Sequence, residues 1–324
     1  MPAMITLLLL GLLRRAGAAT SPPPCRIVPS SPSFQGAVPC TTGHYVCPPD
    51  PSVPMREELV LHFPGTGGSP DNPAPQSFYS SAQALGFHVA SICYDNGFPM
   101  IGTVCGGADA APTCYSDQRR RRLYSPDHGG IPRAVALMQE LRKNSGDEGW
   151  SKFLHPTQPA SLDWSKIVAS GHSQGAGMAA YLAKNNTLLG VTMLAGVADL
   201  TNAKMPASWI SSFSSTPSNR MFGLGNTRDF ACSHWKTDWP ALPLSGWFAS
   251  TNQNMVPSDA NSHMLCSTLE VPGCRNGRDY HSAVLTSDLY VRRLLCFVFA
   301  LSLFCQFQLV CRKNRVELTS FFVF

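Results

Sequence analysis

The chain has 324 residues and a formal net charge of +5, with 44% hydrophobic and 14% charged residues. This composition excludes a disordered chain and allows one large domain with extensions. No basic run is long enough to indicate nucleic-acid binding, so we expect no nucleic-acid partner.

Residues 1–19 have the features of a secretory signal peptide. Met4–Leu13 is apolar, and Ala16-Gly17-Ala18 matches the small-residue cleavage pattern. Two arginines follow the apolar run instead of preceding it, which leaves an uncleaved anchor as the alternative. We predict a secreted protein whose residues 20–55, rich in proline and serine, form a leader partly held by disulfides.

The cysteines also favour an oxidising compartment. Nine of the twelve precede residue 290, and several lie in close pairs that predict short disulfide loops. The pairs are Cys40 with Cys47, Cys105 with Cys114, and Cys266 with Cys274. Spacings typical of metal sites, such as C-x-x-C, do not occur, so we expect neither a metal nor another cofactor. Asn185-Asn186-Thr187 is a sequon that predicts glycosylation.

A domain of alternating strands and helices is predicted at residues 56–290. The predicted strands, in chain order, are Glu58–Phe63, Phe87–Tyr94, Asp163–Ser170, Gly190–Gly196 and Met221–Gly225. The predicted helices are Gln76–Leu85, Ile131–Lys143 and Ala176–Lys184. This alternation predicts an α/β fold with a mostly parallel sheet and helices on both faces. Functional residues of such sheets lie at the carboxyl ends of strands.

Residues 95–130 are predicted to be a loop-rich insertion in this domain. Its basic run, Arg119–Arg122, is interpreted as part of a solvated loop. The alternatives for this run are a processing site or a contact with an anionic surface.

Residues 291–324 form a separate apolar tail. Leu294–Val310 is almost unbroken apolar sequence with basic residues on both sides. As a helix it would span roughly 25 Å, against about 30 Å of hydrocarbon in a bilayer. The tail is therefore interpreted as a membrane helix or an artefact of gene prediction, and third as a buried terminal helix.

Gly171-His172-Ser173-Gln174-Gly175 lies between a predicted strand and a predicted helix. G-x-S-x-G in that context predicts a nucleophile elbow, a sharp turn that exposes one serine hydroxyl above the sheet. Glycines fit there because the turn brings backbone segments close together. His172 is expected to shape the elbow, and Ser173 to be the nucleophile.

A serine hydroxyl needs a base, and the base needs an orienting acid. In folds with this elbow the chain order is serine, acid, histidine. Asp229, just after a predicted strand, is the preferred acid, ahead of Asp199 and Asp259. His281 is the preferred base because a small residue and a possible helix follow it, and His263 is the alternative.

The developing oxyanion needs backbone donors. The amide of Gln174, at the start of the elbow helix, is one predicted donor. The second is expected from the glycine-rich loop after the first predicted strand, from Thr66 or else from Gly65. A phosphate-binding loop is rejected because the lysine of a P-loop is absent.

The elbow, the Phe63–Gly68 loop, Asp229 and His281 together resemble the α/β-hydrolase superfamily over residues 56–290. The resemblance implies a Ser-His-Asp mechanism with an acyl-enzyme intermediate, but it implies no particular substrate. The loop differs from that of many lipases and esterases because it lacks their histidine-glycine pair.

The leading hypothesis is therefore a secreted, carboxylesterase-like serine hydrolase that acts on small-molecule or polymeric esters. A non-catalytic domain of the same fold, used for binding or adhesion, is the second hypothesis. Hydrolysis of peptide or thioester bonds is the third. The sequence predicts no oligomeric state.

Overall fold

The computed structural model of the protein describes residues 24–29, 43–72, 76–106, 110–144, 148–158, 160–246, 248–251, 262–286, 309–312 and 315–318. The predicted signal peptide, Asp259 and residues 294–308 of the apolar tail lie outside these ranges. Within them, no helix is long and apolar enough to cross a membrane.

Most of the described strands form one sheet. They are β1 Arg26–Val28, β2 His44–Cys47, β3 Leu59–Phe63, β4 His88–Ser91, β5 Ile167–His172, β6 Gly190–Leu194, β7 Met221–Asn226, β8 Phe248–Thr251 and β9 Met264–Ser267. Their order is β1-β2-β4-β3-β5-β6-β7-β9-β8. The pairings of β1 with β2 and of β2 with β4 are antiparallel, and the others are parallel. In the tail, β10 Leu309–Arg312 pairs with β11 Arg315–Leu318.

Helices cover both faces of the sheet. They are α1 Gln76–Ala84, α2 Cys114–Tyr124, α3 Gly130–Asn144, α4 Gln174–Asn185, α5 Cys232–Ala241 and α6 Gly277–Thr286. Successive side chains of a strand point to opposite faces of the sheet. On β3, Leu59, Leu61 and Phe63 therefore pack in the hydrophobic cluster that includes α2 to α5. Val60 packs in the cluster on the other face, which includes α1 and α6. The predicted mostly parallel sheet with helices on both faces is confirmed.

The sheet begins before the predicted domain boundary at residue 56. The segment predicted as a leader contributes β1 and β2, which extend the sheet beyond β4. The predicted Cys40–Cys47 pair is wrong, because Cys47 bonds to Cys25. The strand register explains this pairing: Arg26 lies opposite Val46, which brings the preceding Cys25 next to Cys47.

The other predicted disulfides have different outcomes. Cys105–Cys114 is confirmed, whereas Cys266 and Cys274 are free thiols. Cys266 belongs to the hydrophobic cluster on one face of the sheet, and Cys274 packs against the cluster on the other. Cys93 is also disulfide-bonded.

The predicted loop at 95–130 contains regular structure, namely a π-helix at Met100–Val104 and α2. Arg119 and Arg122 of the basic run are 1% and 2% exposed, so the solvated-loop interpretation is wrong for them. The reason is helical geometry: Tyr115, Arg119, Arg122 and Leu123 share one buried face at i, i+4, i+7 and i+8.

Candidate active site

Ser173 lies in a sharp turn between β5 and α4. Its backbone has φ 56° and ψ −121°, in a region that residues with a side chain rarely adopt. The turn is held by the Ser173 amide, which donates to the Leu194 carbonyl at 2.8 Å. A Cβ on Gly175 would overlap the Phe63 carbonyl oxygen, and one on Gly171 would overlap the Gly175 carbonyl. The glycines of the motif therefore let three backbone segments meet under the serine.

His281 and Asp229 are joined by short hydrogen bonds. His281 Nδ1 donates to the two carboxylate oxygens of Asp229, at 2.8 and 2.9 Å. Asp229 follows β7 and is further held by the Ala231 amide at 2.8 Å. His281 lies inside α6, not before a helix as expected, and both side chains are buried. This pair leaves Nε2 of the imidazole as the nitrogen able to accept a proton.

His172 of the elbow supports His281 from beneath. Its Nε2 donates to the His281 carbonyl at 2.9 Å, and the two ring centroids are 4.7 Å apart. Burial, and then the charge of His281, lower the pKa of His172 well below 6.5, so this ring stays neutral. His172 thus ties the elbow to α6.

The glycine-rich loop after β3 borders Ser173. A Cβ on Gly65 would lie 3.1 Å from the Ser173 Cβ. Asn96 holds the loop by donating to the carbonyls of Gly65 and Gly68, at 2.7 and 2.8 Å. In the part of the chain that the structure describes, the amides of Thr66 and Gln174 have no acceptor. Both predicted oxyanion donors are therefore unused N–H groups beside the serine.

A cavity of about 770 Å³ brings these residues together. Its lining includes Ser173, His281, Thr66, Gln174, Met100 and Phe230. No hydrogen bond joins Ser173 to His281 among the described contacts. Catalytic hydrogen bonds are often long without substrate and tighten in the substrate complex, so their shared cavity is the relevant observation.

The alternative acid and base are engaged elsewhere. Asp199 forms a buried ion pair with Arg119, at 2.7 and 2.9 Å, and accepts from Trp209 Nε1 at 3.0 Å. His263 donates from Nδ1 to the Met221 carbonyl at 3.0 Å, and it is not part of the cavity lining. Neither side chain contacts His281 or Ser173 in the described ranges.

Sequence reasoning missed the structural importance of the Arg119–Asp199 pair. Arg119 Nη1 also donates to the Gln174 carbonyl at 2.7 Å, which fixes the first turn of the elbow helix. Gly177 makes room, because a Cβ there would overlap the guanidinium. The Asp199 amide donates to Asp238 at 2.8 Å, and burial raises the pKa of Asp238 to about 8. A signal for the pair was present in the helical spacing of Tyr115, Arg119 and Leu123.

Comparison with protein-family models gives no match, and neither does comparison with curated proteins. Among solved structures, S-formylglutathione hydrolase from Agrobacterium tumefaciens is similar, with a TM-score of 0.42 and 14% identity over 80% of this chain and 89% of that one. A carbohydrate esterase from gut microbiota has a TM-score of 0.44 and 11% identity over 87% and 97%. A lidless α/β serine hydrolase from Xanthomonas campestris has a TM-score of 0.36 and 15% identity over 80% and 85%. At these levels the likeness extends to neither activity nor substrate.

The strand order and the elbow themselves define the class of protein. A mostly parallel sheet, a serine in a strained turn between β5 and α4, and helices on both faces constitute the α/β-hydrolase fold. The resemblance seen in the sequence is therefore confirmed at the level of the fold.

Proposed function

We propose that this protein is a serine hydrolase that cleaves carboxylic esters, with Ser173 as nucleophile, His281 as base and Asp229 as orienting acid. The observation that carries the proposal is the His281–Asp229 hydrogen bond, at 2.8 Å, together with the cavity that His281 and Ser173 both line. A non-catalytic domain has no need for a strained serine, a paired imidazole and unused amides in one place.

In the proposed reaction, Ser173 Oγ attacks the acyl carbon while His281 Nε2 takes its proton. Asp229 holds the imidazole in the tautomer that leaves Nε2 free and stabilises the imidazolium that forms. The amides of Gln174 and Thr66 donate to the oxyanion, and one such donor typically contributes about 3 kcal/mol to the transition state. His281 then gives this proton to the leaving alkoxide, which departs as the alcohol. Water attacks the acyl-enzyme while His281 takes its proton, and the acid is released as His281 returns the proton to Ser173 Oγ.

The cavity supports a small-molecule ester or one segment of a polymeric ester as substrate. Its volume of about 770 Å³ lies within the range of sites for drug-sized ligands. Met100, Phe230 and Leu285 provide apolar contacts, whereas Arg119 and Asp199 in its wall neutralise each other. Peptide and thioester bonds are the alternative substrates within the same mechanism.

Secretion is part of the proposal. The Cys25–Cys47 and Cys105–Cys114 disulfides fit an oxidising compartment, where the predicted signal peptide would send the chain. Asn185 of the sequon is exposed at the end of α4, where a glycan would not enter the core. Expression through a secretory pathway should yield soluble protein whose Cys25, Cys47, Cys105 and Cys114 react with a thiol reagent only after reduction. The same protein should show a glycosidase-sensitive shift in mass.

A fluorophosphonate probe tests the nucleophile. The wild-type protein should be labelled, and the Ser173→Ala variant should not. Ser282→Ala, which removes another serine of the cavity lining, is the matched control and should be labelled like the wild type. Absence of labelling in folded wild-type protein would favour the binding or adhesion domain.

Hydrolysis of 4-nitrophenyl butyrate tests the acid. Asp229→Asn should lower kcat by about 10⁴, because an asparagine favours the wrong imidazole tautomer. Its far-ultraviolet circular dichroism should match the wild type. A fall of less than tenfold would exclude Asp229 as the orienting acid.

A further inference from the structure

One face of α6 borders the candidate active site. Arg278, His281, Ser282 and Leu285 all line the cavity, and their spacing of i, i+3, i+4 and i+7 places them on one stripe of the helix. Arg278 therefore lies one turn before the proposed base, at the rim of the same cavity.

The charges of the cavity lining do not cancel. Arg119 and Asp199 are bound to each other, which leaves the Arg278 guanidinium as the lining charge without a side-chain partner among the described residues. The neighbouring Asp279 is occupied, since its carboxylate accepts from the Arg275 and Asn276 amides at 2.7 and 3.3 Å. A free cation at the rim of a small cavity attracts anionic ligands.

An apolar surface lies on the same side of the cavity. Phe230 is 58% exposed and lines the cavity, and its ring centroid lies 4.6 Å from that of His281. A planar leaving group could pack on this ring while its charged end reaches Arg278. An exposed aromatic ring next to a guanidinium that no described side chain binds suits an aromatic carboxylate.

We infer that Arg278 determines specificity by binding a carboxylate on the leaving alcohol of the ester, so that the preferred substrates are esters of carboxylate-bearing phenols or alcohols. The inference rests on the proposed function. His281 must deliver its proton to the leaving oxygen, which places the leaving group beside α6. The planar guanidinium can then bind the carboxylate through two parallel hydrogen bonds.

The test compares 4-carboxyphenyl butyrate with 4-acetylphenyl butyrate, a neutral ester of nearly the same shape. The readout is the ratio of kcat/KM for the anionic ester to that for the neutral ester, measured by release of the phenol. In Arg278→Gln the ratio should fall about tenfold, through KM, since a hydrogen bond to a charged group is lost. Arg278→Lys should retain part of the ratio because it keeps the charge without the fork.

Arg275→Gln is the matched control, because Arg275 is an exposed arginine just before α6 that does not line the cavity. Its ratio should equal that of the wild type. Added salt should lower the wild-type ratio, since it screens an exposed charge pair.

Two results would overturn the inference and leave the proposed function intact. One is an Arg278→Gln ratio within twofold of the wild type while 4-acetylphenyl butyrate is hydrolysed. The other is a tenfold loss of kcat/KM in Arg278→Gln for the mono-4-acetylphenyl ester of glutaric acid instead of for 4-carboxyphenyl butyrate. That result would place the bound carboxylate on the acyl side of the ester. Hydrolysis of neither ester, together with failure of the fluorophosphonate probe at Ser173, would refute the proposed function as well.

Discussion

Replacing Asp199 by asparagine should destabilise the protein severely. Arg119 donates to Asp199 through two nitrogens, Nε at 2.9 Å and Nη2 at 2.7 Å, and each side chain is only 1% exposed. The substitution removes the negative charge and leaves the guanidinium buried, where water cannot solvate it. The Trp209 Nε1 group loses a charged acceptor at the same time.

The expected loss follows from the burial of this pair. Removing one partner of a buried ion pair typically costs about 3–5 kcal/mol, against a total stability of about 5–15 kcal/mol. Asp117→Asn is the matched control, since Asp117 pairs with Arg120 on the same helix at side-chain exposures of 53% and 71%. An exposed pair of this kind contributes less than about 1 kcal/mol.

Urea unfolding without reductant, followed by tryptophan fluorescence, measures the difference. We expect a large fall in the midpoint for Asp199→Asn and almost none for Asp117→Asn, with equal slopes. Replacing Arg119 and Asp199 together by apolar residues of similar volume should recover part of the loss. A loss for Asp199→Asn within 1 kcal/mol of the control would refute the conclusion that an uncompensated charge remains buried.

Two further predictions concern the elbow and the buried carboxyl of Asp238, which accepts from the Asp199 amide. Gly175→Ala should abolish ester hydrolysis and lower the melting temperature, because the added Cβ would overlap the Phe63 carbonyl. Gly97→Ala is the control: its added Cβ would meet nothing within 4 Å, so activity and melting temperature should stay unchanged. Equal activity of the two variants would contradict the close approach. Burial raises the pKa of Asp238 from 3.8 to about 8, so the native carboxyl keeps a proton that the unfolded carboxyl releases. The proton held by the native Asp238 contributes fully to stability below pH 3.8, and this contribution is lost as the pH rises from 3.8 through about 8. The urea midpoint of the wild type should therefore fall between pH 5 and pH 8.5, and Asp238→Asn should make this fall smaller. An unchanged slope in that variant would show that other groups cause it.

Much of the fold was predictable because its signals are local. The apolar runs at β3, β5, β6 and β7 are each a few residues long. Such a short apolar run is by itself enough to predict a buried strand. The elbow was detectable for the same reason, since its glycines are required by backbone contacts within and next to the turn.

Where prediction failed, the missing information was the pairing of distant segments. From its own segment of sequence, Arg119 is predicted to be solvated. It is buried because it forms an ion pair with Asp199, which lies 80 residues away along the chain. Cys47 bonds to Cys25 because β1 and β2 pair in one register, which cysteine spacing does not reveal. Cys266 and Cys274, close in sequence, are separated by the sheet.

The sequence by itself determined that Ser173 lies in a nucleophile elbow of a mostly parallel α/β sheet, because the motif and its flanking strand and helix are contiguous. The sequence only ranked His281 and Asp229 first, and the tertiary structure decided which histidine and which aspartate contact each other. His281 and Asp229 are 52 residues apart, and several candidates satisfied the chain order equally. Only the packing of α6 against the end of β7 brings that pair together, while Arg119 holds Asp199 away.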